Sequence, residues 1–328
     1  MKNKTYIIAE LSANHNNDFE LAVNTIHAMA TSGADAVKVQ TYKPESLTLD
    51  LDTGYFAPRT EGLWKGYTPW DLFTEGSMPY DWQPKLMKIA NDLGMDFFSS
   101  PFDLEGVDFL ESMNVPKYKI ASPEITDIPL IAHVASKGKP VIISTGMANE
   151  ADIQLAIDTC KKEGNHDITI LKCTSEYPAQ IEQANLATIV DMKSRFGVQV
   201  GLSDHTMGSL VPTVAVALGA TVVEKHFILD RSLGGPDAAF SMEPHEFKEM
   251  VQSVRQAESA LGAVYYEVSE KDKNRRRSLF VVKNIKKGEV ITEENVRSIR
   301  PGFGMHPKEL KNWLGKPSPK SFERGDRF

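Results

Sequence analysis

The stretch Val200-Gly-Leu-Ser-Asp-His-Thr206 and a second one, Val222-Val-Glu-Lys-His-Phe227, decide the fold predicted for this chain. Each starts as an apolar, β-branched run, typical of a buried strand, and ends in polar residues that include a histidine. Strands of a parallel sheet point the same way, so their carboxyl ends lie at one edge. We therefore expect His205 and His226 to end neighbouring strands and to point at one place.

Over the first 262 residues, short apolar runs of this kind alternate with amphipathic stretches. This alternation predicts successive β-α units and a parallel sheet. The predicted strands are 6–12, 36–41, 96–101, 118–122, 141–146, 168–174, 198–204 and 221–227, and the predicted helices are 18–32, 82–94, 103–113, 126–137, 149–163, 183–196, 208–219 and 244–261. Eight such units are the count of an α/β fold of the (β/α)8 TIM-barrel type. A doubly wound open sheet is the alternative, but no G-x-G-x-x-G turn follows the first strand.

The chain divides into a barrel domain at 1–262, a polar linker at 263–276 and a small domain at 277–328. About fifty residues are marginal for independent stability, so we expect the small domain to dock on a barrel, its own or a partner's. Two long connections, 43–81 and 228–243, follow strand ends, where the active sites of barrels lie. The first is rich in aromatic residues, and it either forms a wall for a substrate or packs on itself as an Ω-loop.

Composition excludes several classes of function. The formal net charge is -7, with 41% hydrophobic and 25% charged residues, which argues against a nucleic-acid or polybasic membrane partner. Cys160 and Cys173 are predicted to be small core residues, without a disulfide framework. No apolar run approaches the roughly 18 residues of a membrane span, and no signal-peptide pattern opens the chain, so we expect a cytoplasmic protein.

Polar residues at the predicted strand ends would converge on one site if the barrel closes. His205 and His226 suit a weakly held divalent metal, although each could instead be a hydrogen-bonded core histidine. Glu10 is a candidate general acid or base, or else the salt-bridge partner of a lysine. An anion such as phosphate would be held by a set of ammonium and hydroxyl groups, namely Lys38, Lys119, Ser100, Ser122, Ser144 and Ser203. A Schiff-base aldolase is the rival chemistry, for which Lys38, Lys119, Lys172 and Lys225 are placed.

Seven motifs, in order along the chain, resemble those of the sialic acid synthase family. They are Ile7-Ile-Ala-Glu-Leu-Ser-Ala-Asn-His15, Val37-Lys-Val-Gln-Thr41, Tyr118-Lys-Ile-Ala-Ser122, Ile143-Ser-Thr-Gly-Met147, Gly201-Leu-Ser-Asp-His205, Glu224-Lys-His-Phe227 and Gly235-Pro-Asp237. The Leu-Ser-Ala-Asn-His version of the first motif resembles the pseudaminic acid synthase branch. Arg300-Pro-Gly-Phe-Gly304 resembles part of the family's C-terminal antifreeze-like (SAF) domain.

The resemblance implies a transferase of class EC 2.5.1 that makes pseudaminic acid. It would condense phosphoenolpyruvate (PEP) with 2,4-diacetamido-2,4,6-trideoxy-L-altrose and water, releasing phosphate by C–O cleavage. N-acetylneuraminate or legionaminate synthesis is the alternative, and a non-catalytic carbohydrate- or ice-binding protein is the alternative of another class.

The resemblance also assigns roles to residues. His205 and His226 would bind the metal, Mn2+ foremost, with Mg2+ and Co2+ as alternatives, and Glu10 would manage the proton of the attacking water. PEP would be held by Lys38, Ser100, Lys119, Ser122, Ser144 and Ser203, and the sugar by Gln40, Glu124, Tyr177, Asp237 and Arg300. Arg300 would come from the SAF domain of a partner, which implies a domain-swapped homodimer.

Overall fold

The structure is a computed structural model that describes residues 4–328. The chain forms two compact units, Met1–Gly262 and Ala263–Phe328. None of the helices in the described part is long and apolar enough to cross a membrane.

The first unit is a closed barrel of eight parallel strands, as the strand pattern predicts. The strands are β1 (Tyr6–Glu10), β2 (Ala36–Thr41), β3 (Asp96–Pro101), β4 (Tyr118–Ile120), β5 (Val141–Ser144), β6 (Ile168–Cys173), β7 (Gln199–Asp204) and β8 (Val222–His226). Each strand pairs with its neighbours in chain order, and β8 closes on β1 with His226 opposite Glu10. The TIM-barrel prediction is confirmed.

Helices alternate with these strands. They are α1 (Phe19–Ser32), α2 (Pro44–Leu47), α3 (Pro69–Gly76), α4 (Gln83–Asp92), α5 (Leu104–Ser112), α6 (Ile128–Ser136), α7 (Glu150–Lys162), α8 (Ala187–Phe196), α9 (Leu210–Ala217) and α10 (Pro244–Leu261). Asp18 caps α1 by accepting a hydrogen bond from Leu21 N, and Gly33 ends it at φ 92°, a left-handed conformation that glycine adopts without strain.

Two elements of the barrel domain differ from the sequence prediction. The helix predicted from residue 183 begins only at Ala187, because a 3-10 turn over Ile181–Ala184 precedes it and ends in Asn185, whose backbone is left-handed with φ 45°. Helix α3 lies inside the 43–81 connection, which the sequence analysis left without secondary structure. Its signal is present in the sequence, because Thr68 and Asp71 form a capping box around Pro69, the first helical residue.

The second unit contains an antiparallel pair, β9 (Ser278–Val281) and β10 (Val296–Ile299). Helix α12 (Leu310–Trp313) follows, and a small core gathers around Leu279, Ile291 and Phe328. Residues 263–276, predicted to be a linker, include a short helix, α11 (Glu270–Arg275), which Ser269 caps by accepting a hydrogen bond from Asp272 N.

Strand β8 shows how the barrel separates its polar side chains, because successive residues of a strand point to opposite faces. Glu224 and His226 line the cavity at the carboxyl end of the barrel. Lys225, between them, is fully buried, and its Nζ lies 2.6 Å from Asp204 Oδ2 and donates to the carbonyl of Thr206. Asp204 and Lys225 thus form a buried ion pair that joins β7 to β8 outside the cavity.

Removing one member of this pair should destabilise the barrel. Asp204→Ala leaves a buried ammonium without its carboxylate, so we expect the free energy of unfolding to fall by about 3 kcal/mol. Urea unfolding followed by circular dichroism measures the change. Asp81→Ala is the matched control, since it removes the exposed Lys85–Asp81 pair and should leave the midpoint unchanged. Equal midpoints for the two variants would contradict this account of the pair.

Candidate active site

A cavity of about 540 Å3 lies at the carboxyl ends of the strands, where TIM barrels carry their active sites. It is lined by side chains from β1, β2 and β4 to β8 and from the loops that follow these strands. The residues predicted from the sequence that line this cavity are Glu10, Lys38, Gln40, Lys119, Ser122, Ser144, Tyr177, Ser203, His205, His226 and Asp237. The barrel therefore gathers most of the predicted set into one place.

Three predicted residues lie elsewhere. Ser100 on β3 is buried but does not line the cavity, and its Oγ lies 3.3 Å from Lys38 Nζ. Glu124 sits in a 3-10 turn after β4, and its Oε2 is buried without a hydrogen-bond partner among residues 4–328. Arg300 belongs to the second unit, where it follows β10 and is exposed.

Four buried charges form the floor of the cavity. Lys38 Nζ lies 2.6 Å from Glu10 Oε2 and 3.5 Å from Glu224 Oε1. Lys119 Nζ lies 3.7 Å from the same Glu224 oxygen. One carboxylate oxygen therefore lies between two ammonium groups, and each buried charge has a partner of opposite sign, which such burial requires.

The environment of each charge shifts its pKa. Burial raises the pKa of Glu10 to about 7, because the loss of solvent and the nearby Glu224 outweigh Lys38. Burial, followed by the repulsion of Lys38, lowers the pKa of Lys119. Burial alone would lower the pKa of Lys38, but Glu10 and Glu224 outweigh it and raise that pKa. Glu10 can therefore gain or lose a proton near neutral pH, while Lys38 stays cationic.

Hydroxyl groups surround the two lysines. Lys119 donates to Ser144 Oγ at 2.7 Å, and Ser203 donates to Glu224 Oε1 at 3.3 Å. Ser122 Oγ accepts from Gly146 N at 3.0 Å. With two ammonium groups beside them, these hydroxyls form a site suited to a small, multiply charged anion.

The two histidines meet at the side of the cavity, with ring centroids 5.3 Å apart. His205 Nδ1 lies 2.8 Å from the carbonyl oxygen of Thr174, so the ring donates there. Burial alone would lower the pKa of His205, but Cys173 and the Thr174 carbonyl outweigh burial and raise that pKa. His226 Nδ1 is buried without a hydrogen-bond partner in the described chain, and burial lowers the pKa of this ring well below its usual value. The pair fits a divalent metal, which would bind His226 as a neutral imidazole and would displace a proton from His205.

No group of three or more His, Cys, Asp or Glu side chains within residues 4–328 is arranged to hold a metal ion. A metal held by this pair alone would leave its other coordination positions to water and substrate, as in an open catalytic site.

A polar network lies beside the histidines. Ser12 donates to Asp237 Oδ2 at 2.5 Å and accepts from Gln40 Nε2 at 3.0 Å. Burial raises the pKa of Asp237. Ser12 and Glu224 also stand at predicted strand ends but were given no role from the sequence, although the alternation of residues along β8 places Glu224 on the same face as His226.

The two long connections close over the cavity. From the 43–81 connection, Arg59, Leu63 and Trp64 line it, and from the 228–243 connection Pro236 and Phe240 do so. Tyr80, in contrast, does not line the cavity and packs against Phe109 of α5, with ring centroids 4.6 Å apart. The aromatic connection thus forms part of the cavity wall and also packs on the barrel.

Comparisons with known proteins identify the family of this chain. The NeuB family model matches residues 25–266, and the SAF domain model matches residues 276–326. This chain belongs to the NeuB family. The predicted resemblance and the predicted SAF domain are thereby confirmed.

Curated members of the NeuB family resemble the chain over nearly its whole length. It is 46% identical to the pseudaminic acid synthase of Helicobacter pylori, over 96% of this chain and 93% of that protein. It is 48% identical to the pseudaminic acid synthase of Campylobacter jejuni, over 98% of this chain and 95% of that protein. It is 39% identical to the N,N'-diacetyllegionaminic acid synthase of Legionella pneumophila, over 94% of this chain and 89% of that protein.

Solved structures of the family have the same architecture. The N-acetylneuraminic acid synthetase of Leptospira borgpetersenii superposes with a TM-score of 0.74 at 30% identity, covering 83% of this chain and 90% of that one. The spore coat polysaccharide biosynthesis protein SpsE of Bacillus subtilis superposes with a TM-score of 0.69 at 31% identity, covering 99% of this chain and 93% of that one.

The buried carboxyl of Glu124 should make stability depend on pH. Burial raises its pKa to about 7 from 4.5. The folded state therefore binds this proton more tightly than the unfolded chain does, and stability is lost as the pH rises from about 4.5 through 7. Glu124→Gln removes this ionisation and should stabilise the protein at pH 8 by on the order of 1–3 kcal/mol, with a smaller gain near pH 5.

Urea unfolding of the wild type and of Glu124→Gln at the two pH values measures this difference. Glu163→Gln, at an exposed carboxylate, is the control and should behave as the wild type does. A gain for Glu124→Gln that is the same at both pH values would contradict the assignment.

Proposed function

We propose that this chain is a pseudaminic acid synthase, a transferase of class EC 2.5.1. It would join PEP to 2,4-diacetamido-2,4,6-trideoxy-L-altrose and add water, giving pseudaminic acid and phosphate. The observation that carries the proposal is the pairing of an anion site, Lys38 and Lys119, with two imidazoles, His205 and His226, in one cavity. Identities of 46–48% to pseudaminic acid synthases, above those to legionaminic acid synthases, favour this sugar.

PEP would occupy the floor of the cavity. Its phosphate and carboxylate would bind Lys38 and Lys119 together with the hydroxyls of Ser122, Ser144 and Ser203. Because Glu224 holds both ammonium groups within 3.7 Å of one oxygen, the anion would bind to charges that are already positioned. Ser100, behind Lys38, would orient that ammonium group.

The sugar would lie above PEP with its aldehyde at the histidines. His205 and His226 would hold a divalent metal, Mn2+ foremost, and Mg2+ or Co2+ as alternatives. When bound, such a metal polarises the aldehyde oxygen as a Lewis acid. Gln40, Tyr177 and Asp237 would contact the hydroxyl and amide groups of the sugar from the walls, and Glu124 would do so from the turn after β4.

The chemistry forms a C–C bond and a C–O bond to water, and it breaks the C–O bond between carbon 2 and the phosphate. Carbon 3 of PEP attacks the aldehyde carbon, which leaves an alkoxide on the sugar and positive charge on carbon 2, and water adds at carbon 2. Glu10, with its pKa near 7, would take one proton of that water and pass it to the alkoxide. The other proton of the water leaves with the phosphate as the ketone forms. Lys38 and Lys119 would stabilise the departing phosphate.

The proposal also includes a domain-swapped homodimer in which Arg300 of the partner subunit contacts the sugar. It rests on the family resemblance and on the exposure of this side chain in the second unit. The reaction is placed in the cytoplasm, which fits two unpaired cysteines.

Phosphate release tests the proposal. Release should require both PEP and the diacetamido-trideoxy altrose, disappear in EDTA and return with Mn2+. N-acetylmannosamine should be a much poorer substrate. Equal or faster release with N-acetylmannosamine would overturn the pseudaminic assignment.

Activity that persists in EDTA, with a lysine adduct trapped by borohydride, would instead support a Schiff-base aldolase. Of the four lysines considered for that chemistry, Lys38 and Lys119 line the cavity, while Lys172 and Lys225 do not.

A further inference from the structure

We propose that Trp64 is a specificity-determining residue that forms a subsite for the end of the sugar remote from the aldehyde. The ligand of this subsite would be the acetamido group on carbon 4 and the methyl group at carbon 6. This inference rests on the proposed function, because it assumes that the aldehyde lies at the histidines.

Trp64 lies on a short, internally bonded segment, residues 59–67, which we name the arm. Arg59 N donates to Tyr67 O at 2.9 Å, and Gly66 N donates to Arg59 O at 2.8 Å. Gly62 and Gly66 have φ of 81° and 93°, which lets the chain turn back on itself. The capped helix α3 follows directly. The arm is therefore a defined structure that can hold a side chain in place.

The contacts of Trp64 join the arm to two other loops over the site. Its Nε1 donates to the carbonyl of Pro236 at 2.8 Å, next to Asp237. Its ring lies 5.5 Å from that of Tyr177, whose ring lies 4.4 Å from His205. The indole N–H is thus satisfied by the protein. The guanidinium of Arg59 lies over the ring, 5.0 Å from its centroid, and Trp64 lines the cavity, where it can pack against a ligand.

The cavity wall near the arm differs chemically from the floor. The floor carries the charges of Glu10, Lys38, Lys119 and Glu224. The wall made by the 43–81 connection and its neighbour after β3 has an apolar part, formed by Leu47, Leu63, Leu72, Phe73 and Phe102, beside two charged residues of the arm, Arg59 and Glu61. A substrate that spans the cavity should therefore be anionic at the floor and more apolar at this wall.

The proposed substrates have that polarity. The reacting aldehyde must meet PEP at the floor, so the other end of the open-chain sugar points towards the loops. In the diacetamido-trideoxy sugar that end carries an acetyl methyl and the carbon 6 methyl. N-acetylmannosamine has hydroxyl groups at both positions and would lose the apolar contacts with this part of the wall.

A comparison of sugars in Trp64 variants tests this assignment. The two substrates are the diacetamido-trideoxy altrose and its analogue with a hydroxyl in place of the carbon 4 acetamido group, each at saturating PEP. Trp64→Ala should raise KM for the diacetamido sugar about tenfold or more and lower the preference for it over the analogue by a similar factor. KM for PEP should stay unchanged.

Two further variants test whether the aromatic ring of Trp64 itself causes the preference between the sugars. Trp64→Phe keeps a ring but loses the donor to Pro236, and it should retain most of the preference. Tyr55→Ala removes a fully exposed aromatic residue of the same connection and should match the wild type. If Trp64→Ala does not fold, Leu63→Asn on the same arm should lower the same preference.

An unchanged preference in Trp64→Ala would overturn the inference. It would also be overturned if Trp64→Ala and Trp64→Phe both lost kcat by the same factor with the two sugars. Trp64 would then only hold the loops together through its hydrogen bond to Pro236. A wild type that releases no phosphate from PEP with either sugar would overturn the proposed function, and this inference with it.

Discussion

The carboxylate of Glu224, held between the ammonium groups of Lys38 and Lys119, is the interaction on which the site depends. Three strands far apart in sequence contribute these groups, and only a closed barrel brings their carboxyl ends together. Burying such charges is unfavourable unless each has a partner. Glu10 provides the second negative charge at 2.6 Å from Lys38. The cluster therefore holds two cations in place for a multiply charged anion.

In the proposed function, the anion binds at the floor of the cavity and the sugar binds higher, between its walls. Charged and hydroxyl side chains on the strands surround the site proposed for PEP, whereas loop side chains form the walls above. A series of aromatic rings, Trp64, Tyr177 and then His205, connects the wall to the pair of histidines. The strands, which would set the chemistry, are rigid parts of the sheet, while the loops, which can vary, would select the sugar.

Sequence patterns predicted the barrel well because both signals are local: β-branched runs mark the strands, and polar residues mark their ends. Glu10, Lys38 and Lys119 converge for the same reason. Glu224 was missed because its importance arises from a tertiary contact with two lysines. Ser100 was placed in the cavity, but the packing of β3 against Lys38 puts it behind that lysine. The position of Trp64 depends on a hydrogen bond to another loop, which no local pattern encodes.

The central claim is that this floor binds PEP for attack at carbon 2 by water and for release of phosphate by C–O cleavage. PEP carrying a heavy oxygen isotope in the atom that bridges carbon 2 and phosphorus tests it most directly. After turnover with the diacetamido-trideoxy sugar, mass spectrometry should find the label in the inorganic phosphate and none in the sugar acid. Label retained in the sugar acid would mean P–O cleavage and would contradict the account.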